Sequence, residues 1–373
     1  MLFESILYYG ADFRFHTGDV AVEGGCIASV RPRDCTPRAI LLPGLVDIHL
    51  HGNSGVDFSE ASPAGLCRMA RFLAAHGTTS FSAASLTLPE QQLAAAYHTA
   101  AEFCAAPPED AAALRGITME GPFFSHGKCG AQNPAYLRAP DPAMVSRLQQ
   151  AAGGRIRIVC VAPELPGAHA LIQSVAATGV AVSVAHTEAD YDAACAAFAA
   201  GATHVTHLYN AMPPLLHRAP GVIGAAAECP QVTAELIADG IHVHPSAVRA
   251  AFRLFGEGRI CLISDALSAC GMPDGDYTLG GQAIRVCGAR ATLADGTLAG
   301  SVATLFDCMK NAVRFGIPAE EAVRAASHTP ARVLGVDGEI GAIREGLPAD
   351  LLLCSMDWAL QSVYIRGLQV AAY

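Results

Sequence analysis

The sequence predicts an α/β protein: a (β/α)8 barrel of the TIM type carrying a small β-sandwich domain built from both termini. Three observations point there. Eight short apolar runs alternate with helical patterns across about 290 residues, the size of such a barrel. The residues able to bind metals or move protons collect at the C-terminal ends of those runs. Both ends of the chain show period-two patterns and turn residues, with too few apolar positions for separate cores, so they are expected to pair with each other.

In the first forty residues, Asp19 to Glu23 and Cys26 to Val30 read as a hairpin turning at Gly24-Gly25. Leu41 to Gly52, LLPGLVDIHLHG, then reads as a buried strand entered through Pro43-Gly44. After it Ser62 caps and Pro63 starts a helix, with Leu66, Met69, Ala70 and Leu73 on one face and Gly77 just past its end. Further strands are expected at Thr78 to Ala83, Leu114 to Glu120, Ile156 to Val161, Val180 to His186, Thr203 to His207, Val232 to Ala238 and Ile260 to Asp265. With Leu45 to His51 they make eight. Helical patterns fill most gaps, as at Gln91 to Cys104, Ala189 to Ala200 and Pro245 to Phe255. A doubly wound open sheet is the rival fold, but no G-x-G-x-x-G follows the first strand. Residues 271 to 300, rich in Gly and Asp, look like a hairpin insertion after the last strand. Ala349 to Cys354 and Ser362 to Val370, turning at Arg366-Gly367, return the chain to β structure. The expected division is residues 1–43 with 338–373 as the small β domain and 44–337 as the barrel.

Composition narrows the function. Hydrophobic residues make up 52% of the chain and the mean hydropathy is +0.32, yet no uninterrupted apolar run approaches membrane-span length, so no membrane role is expected. The formal net charge is -10 and no Lys/Arg cluster occurs, which disfavours nucleic acid and leaves small molecules as partners. Thirteen cysteines, scattered without a C-x-x-C pair, fit a reducing cytoplasm, and the N-terminal stretch lacks the basic and apolar regions of a secretion signal.

The chemistry lies at the strand ends. Strand one ends in His49 and His51, which alternation places on one face; strand three ends in Glu120, strand five in His186, strand six in His207 and strand eight in Asp265. In a barrel all these ends open on one face, so the six residues would converge. The set suits Zn2+ or Fe2+ better than Mg2+ or Ca2+, which prefer oxygen shells. It exceeds the needs of one tetrahedral ion, so two ions sharing Glu120 as a bridge are a natural arrangement.

These motifs resemble the amidohydrolase superfamily, and within it the N-acetylglucosamine-6-phosphate deacetylase family. The matching stretches are LPGLVDIHLHG at 42–52, GITMEGPFF at 116–124, VAHTEADY at 184–191 and GATHVTHLYNAMPPLLHRAPGVIGAA at 201–226. They continue with IADGIHVHP at 237–245, ISDALSACGMPDGDYTLGG at 263–281 and SHTPARVLG at 327–335. The resemblance implies a metal bound by Glu120, His186 and His207, with His49 and His51 completing a second site and one or two ions per subunit. It implies Asp265 as the catalytic acid/base of amide hydrolysis, releasing acetate from a phosphorylated N-acetyl amino sugar. Arg218 and His242, helped by backbone amides at Asn210 and Ala211, would hold the phosphate, often from the neighbouring subunit of a homodimer. Strand four, IRIVCVAP, has no lysine, unlike branches that bridge their metals with a carboxylated one. Where the family shows Lys-x-Gly-Ala-His, with the histidine against the sugar, this chain has KCGAQNP and so Gln132. That change bears on sugar recognition and keeps N-acetylgalactosamine 6-phosphate open as an alternative substrate. A deaminase shares H-x-H and the late aspartate, and a scaffold protein without turnover would share the fold; Glu120 in MEGP and the full ligand set favour amide hydrolysis.

Overall fold

One apolar run, split at Gly44, joins the two parts of the molecule in the computed structural model, which describes residues 1–373. Ile40–Pro43 belongs to a terminal sheet and Leu45–Leu50 to the barrel, and every residue of both strands is buried. Gly44 is required by close approach, because a Cβ there would lie 2.0 Å from Thr79 Oγ1.

The barrel strands are β1 (Leu45–Leu50), β2 (Thr78–Ala84), β3 (Ala113–Met119), β4 (Ile156–Val161), β5 (Ala181–Val184), β6 (His204–Val205), β7 (Thr233–Ile237) and β8 (Ile260–Ile263). Each pairs in parallel with the next in sequence order. The circle closes between β8 and β1 through bonds outside a regular ladder: Asp265 N donates to His49 O at 2.9 Å, and the buried Asp47 carboxylate accepts from Ser264 N at 3.3 Å. Crossover helices include Pro63–Ala75, Glu90–Ala105, Tyr191–Ala200 and Pro245–Phe255. Ser62 caps the first of these by accepting from Gly65 N at 3.1 Å, and Pro63 opens it, as the sequence indicates. The helix expected from Ala189 begins at Tyr191 because the Asp190 carboxylate caps it by accepting from Ala193 N.

Strand β1 is not a regular ribbon. Its register with β2 runs Asp47↔Phe81 and then Leu50↔Ala83, three residues against two, which is a bulge. Val46 and Ile48 pack in the barrel interior with Ile158, Cys160, Ile237 and Ile263. Simple alternation from Ile48 would turn His49 and His51 outward; the bulge returns both to the inside.

Both termini form one mixed sheet in the order Leu368–Ala372, Leu360–Ile365, Leu351–Cys354, Ile40–Pro43, Leu2–Tyr9, Phe15–Glu23, Cys26–Pro32. It curls over itself, so that Ile27 N reaches Leu347 O and Ala349 N reaches Gly25 O. Its enclosed core takes Ile6, Val20, Leu41, Leu351 and Tyr364 from both halves, the two layers of a small sandwich drawn from one sheet. The insertion expected as a hairpin has three antiparallel strands, Gly275–Leu279, Gln282–Cys287 and Arg290–Thr292. It leans over the mouth of the barrel, where Gln282 Nε2 donates to Ala131 O at 2.6 Å.

Candidate metal centre and active site

The C-terminal ends of β1, β3, β5, β6 and β8 bring the six predicted residues into two groups: Glu120 with His186 and His207, and His49 with His51 and Asp265. All six are buried. His186, His207 and Asp265 lie just beyond their strands with φ of 45°, 30° and 50°, a left-handed conformation that ends the ladder and swings each side chain over the mouth. The strands expected to reach these residues stop short for this reason.

Glu120 is the shared centre. Its Oε1 lies 3.1 Å from His186 Nε2, 3.3 Å from His207 Nε2 and 3.4 Å from His49 Nε2. Its Oε2 faces His51 Nε2 at 3.4 Å, and His51 Nε2 is 3.3 Å from Asp265 Oδ1.

Behind each imidazole, Nδ1 meets an acceptor: Ala84 O for His51, Lys128 O for His186, Asn210 O for His207 and the Glu235 carboxylate for His49. Such oxygens only accept, so each Nδ1 carries a hydrogen and each ring turns its Nε2 toward the centre, where a metal would take the lone pair. His186 Nε2 and His207 Nε2 are 3.1 Å apart, and His49 Nε2 is buried without a partner. Lone pairs and carboxylate oxygens crowded this way repel one another until a cation enters, so the donor set fits a divalent metal.

Electrostatics show the same demand for positive charge. Burial pushes His49 down, but Glu235 and Glu120 raise it well above the ordinary imidazole value. Burial opposes ionisation of Glu120, yet His49, His186 and His207 hold it well below the usual carboxylate range. Asp265 is also lowered, burial being overcome by His51 and His49.

The centre opens into a cavity of about 470 Å³ whose wall includes His51, Glu120, Gln132, Asn210, Ala211, His242 and Asp265. That volume suits a small phosphorylated sugar. His242 is clamped by Asp239 Oδ2 at 2.7 Å from Nδ1; burial pushes its pKa down, and Asp239 more than restores it, so it rises. Asn210 N is bonded to His207 O, whereas Ala211 N–H has no acceptor within the chain. Gln132 is engaged at both ends: its Oε1 accepts from Thr87 N at 2.7 Å and its Nε2 donates to Glu120 Oε2 at 2.5 Å. Arg218 is exposed on the loop bridged by Leu216 and Ala219 and does not line this chain's cavity.

Three residues that lie behind the centre's ligands or line the cavity escape the strand-end reading. Glu235 and His204 lie deeper in the barrel; Glu235 is a lone carboxylate in the apolar strand TAELI, which was the available signal. Its pKa is lowered to about 2, burial being outweighed by His49 and His204. Lys128 adds a cation to the cavity wall. His244, without an assigned role, caps the helix Pro245–Phe255 by accepting from Ser246 N, and His217 is exposed.

The model of the "Amidohydrolase family" matches residues 40–370. N-acetylglucosamine-6-phosphate deacetylase of Bacillus subtilis is 38% identical over 363 residues, covering 94% of this chain and 92% of that protein. N-acetylgalactosamine-6-phosphate deacetylase of Escherichia coli O157:H7 is 36% identical over 357 residues, 94% of each. Among solved structures, an aspartate-to-alanine variant of the Mycobacterium smegmatis N-acetyl-D-glucosamine-6-phosphate deacetylase, in complex with N-acetyl-D-glucosamine-6-phosphate, superposes with a TM-score of 0.93. It is 35% identical, covering 100% of this chain and 99% of that one.

Proposed function

The chain belongs to the amidohydrolase family, and from that membership we propose a metal-dependent hydrolase that converts N-acetylglucosamine 6-phosphate and water to glucosamine 6-phosphate and acetate. The observation that carries this reading is the convergence of four oriented Nε2 lone pairs, Glu120 and Asp265 at the floor of a sugar-sized cavity.

Glu120, His186 and His207 would hold the principal metal, and His49 with His51 a second. The mixed nitrogen and oxygen set favours Zn2+ or Fe2+. A metal held there supplies Lewis acidity to the amide carbonyl and to the attacking water. Asp265, kept ionised beside His51, takes a proton from that water and returns it to the departing nitrogen, which leaves only as a neutral amine. The water oxygen bonds to the carbonyl carbon first, and the C–N bond breaks once its nitrogen is protonated, leaving acetate and the free amine.

At the other end of the cavity His242, raised by Asp239, faces the phosphate, with Ala211 N–H and the Asn210 turn beside it. Arg218, outside its own cavity, serves the same phosphate from the second subunit of a homodimer. Gln132, whose amide is held by Thr87 and Glu120, supports the ligand set from the cavity wall. Residues 1–43 with 338–373 act as the supporting β domain and 44–337 as the catalytic barrel. No helix is long and apolar enough to cross a membrane, and the cysteine pattern supports a cytoplasmic setting.

Acetate release from purified, metal-analysed protein tests the assignment. N-acetylglucosamine 6-phosphate is expected to give the highest kcat/KM, above its galacto epimer and far above unphosphorylated sugars. Equal turnover of unphosphorylated sugars would remove the phosphate contacts, preference for the epimer would move the assignment to N-acetylgalactosamine 6-phosphate, and no acetate from any of them would overturn it.

A further inference from the structure

We propose that Glu235 is a positioning residue that anchors both halves of the metal centre from beneath and controls occupancy of the His49/His51/Asp265 half. The inference rests on the metal-binding reading above and assigns a role one layer deeper in the barrel.

Glu235 is fully buried on β7, far from water, and its two oxygens are spoken for by three donors. Oε2 accepts from His49 Nδ1 at 2.9 Å and from His207 N at 3.2 Å. Those residues belong to different halves of the centre, so one oxygen ties the imidazole of one half to the backbone of the other. Oε1 faces His204 Nε2 at 3.2 Å, and His204 Nδ1 meets Thr233 Oγ1 at 2.6 Å. With the carboxylate ionised, His204 presents Nε2–H to it and accepts from the threonine hydroxyl, so the far side of Glu235 is fixed by a second buried ring.

The three other inward histidines are oriented by neutral carbonyls, which leave ligand basicity nearly unchanged. His49 alone is oriented by a charged carboxylate. A carboxylate behind an imidazole fixes the Nδ1–H tautomer and strengthens Nε2 as a donor, and losing such a partner weakens metal binding about 10–100-fold. His49 Nε2, buried and unpartnered, is the atom so prepared. The effect should therefore fall on the ion held through His49 and leave the Glu120/His186/His207 ion in place.

Glu235→Gln, which keeps an oxygen acceptor and removes the charge, and Glu235→Leu, which removes both, test this by equilibrium dialysis against graded free Zn2+. Nitrogen-15 histidine spectra of the metal-free proteins report the His49 tautomer. The parent is expected to bind two equivalents. Glu235→Gln should weaken the second about 10-fold or more and the first less than about threefold, while Glu235→Leu retains one equivalent and loses the protected His49 Nδ1–H signal. An unchanged second equivalent in Glu235→Gln would overturn the proposal. So would equal loss of both equivalents together with a lowered Tm, which is what a purely structural carboxylate would give. A parent that releases acetate with a single ion refutes this inference and spares the function; a parent that binds no metal refutes both.

Discussion

Asp265 sits where one oxygen can face both the chemistry and a ligand, with Oδ1 3.3 Å from His51 Nε2 and its backbone held at φ 50°. Replacing it with Asn preserves shape but removes the group that moves the proton. Asp265→Asn is expected to lower kcat by about 10²–10⁴-fold while leaving at least the Glu120/His186/His207 metal bound, as acetate release and metal content would show. Retained activity would put the proton elsewhere. Gln132 makes a different kind of prediction, because its amide already spends both ends on protein, at Thr87 N and Glu120 Oε2. Gln132→Leu should lower kcat about 10-fold or more, with KM within about threefold, since it frees a ligand rather than a sugar contact. A raised KM with kcat intact would return Gln132 to the recognition role the sequence suggested. The sequence showed that a titratable residue had been exchanged for an amide, but not which groups that amide would meet, because Thr87 lies 45 residues away.

At the scale of elements, apolar runs located the barrel strands to within a few residues, since buried parallel strands have little other pattern to show. Their ends were less legible. His204–Val205 and Ala181–Val184 are short because the next functional residues need left-handed backbone, and that conformation leaves no mark on hydrophobic periodicity. The bulge in β1 was invisible for a similar reason: His49 and His51 share a face with or without it, and only the packing of Val46 and Ile48 reveals the extra residue. Glu235 lacked a spacing partner, because its hydrogen-bond donor His49 is 186 positions distant. The seam between β1 and β8 carries its own prediction. Asp47 is fully buried there, and desolvation raises its pKa to about 7. In the unfolded chain the same group ionises near ~3.9, so its contribution to stability is full below about pH 4 and disappears as pH rises toward 7. Asp47→Asn keeps an acceptor for Ser264 N and His49 N and cannot ionise. Its Tm should therefore fall less between pH 5 and pH 8 than that of the parent, and parallel profiles would show that Asp47 does not titrate at the seam.

For the molecule as a whole, the terminal sheet and the barrel share a core rather than merely touching. Leu352, from a C-terminal strand, is fully buried in the main cluster, and its Cδ2 would stand 2.7 Å from a Cβ placed at Gly77, the turn that leads into β2. Leu352→Ala is expected to cost ~2–5 kcal/mol in chemical denaturation, with metal stoichiometry unchanged in the folded protein. A change below ~1 kcal/mol would mean that the sheet is an independent appendage. The pairing of the two ends was legible from their shared strand pattern and meagre apolar content. The curl that turns one sheet into both layers was not, because it depends on bonds such as Ala349 N to Gly25 O between segments more than three hundred residues apart.

The insertion of Leu351–Cys354 beside Ile40–Pro43 has a consequence for biosynthesis. The strand that delivers His49 and His51 is translated more than three hundred residues before the neighbour that covers its upstream extension. Until then the edge of Ile40–Pro43 that pairs with Leu351–Cys354 is uncovered. A chain without residues 351–372 would hold every proposed ligand but lack the strand that pairs with Ile40–Pro43.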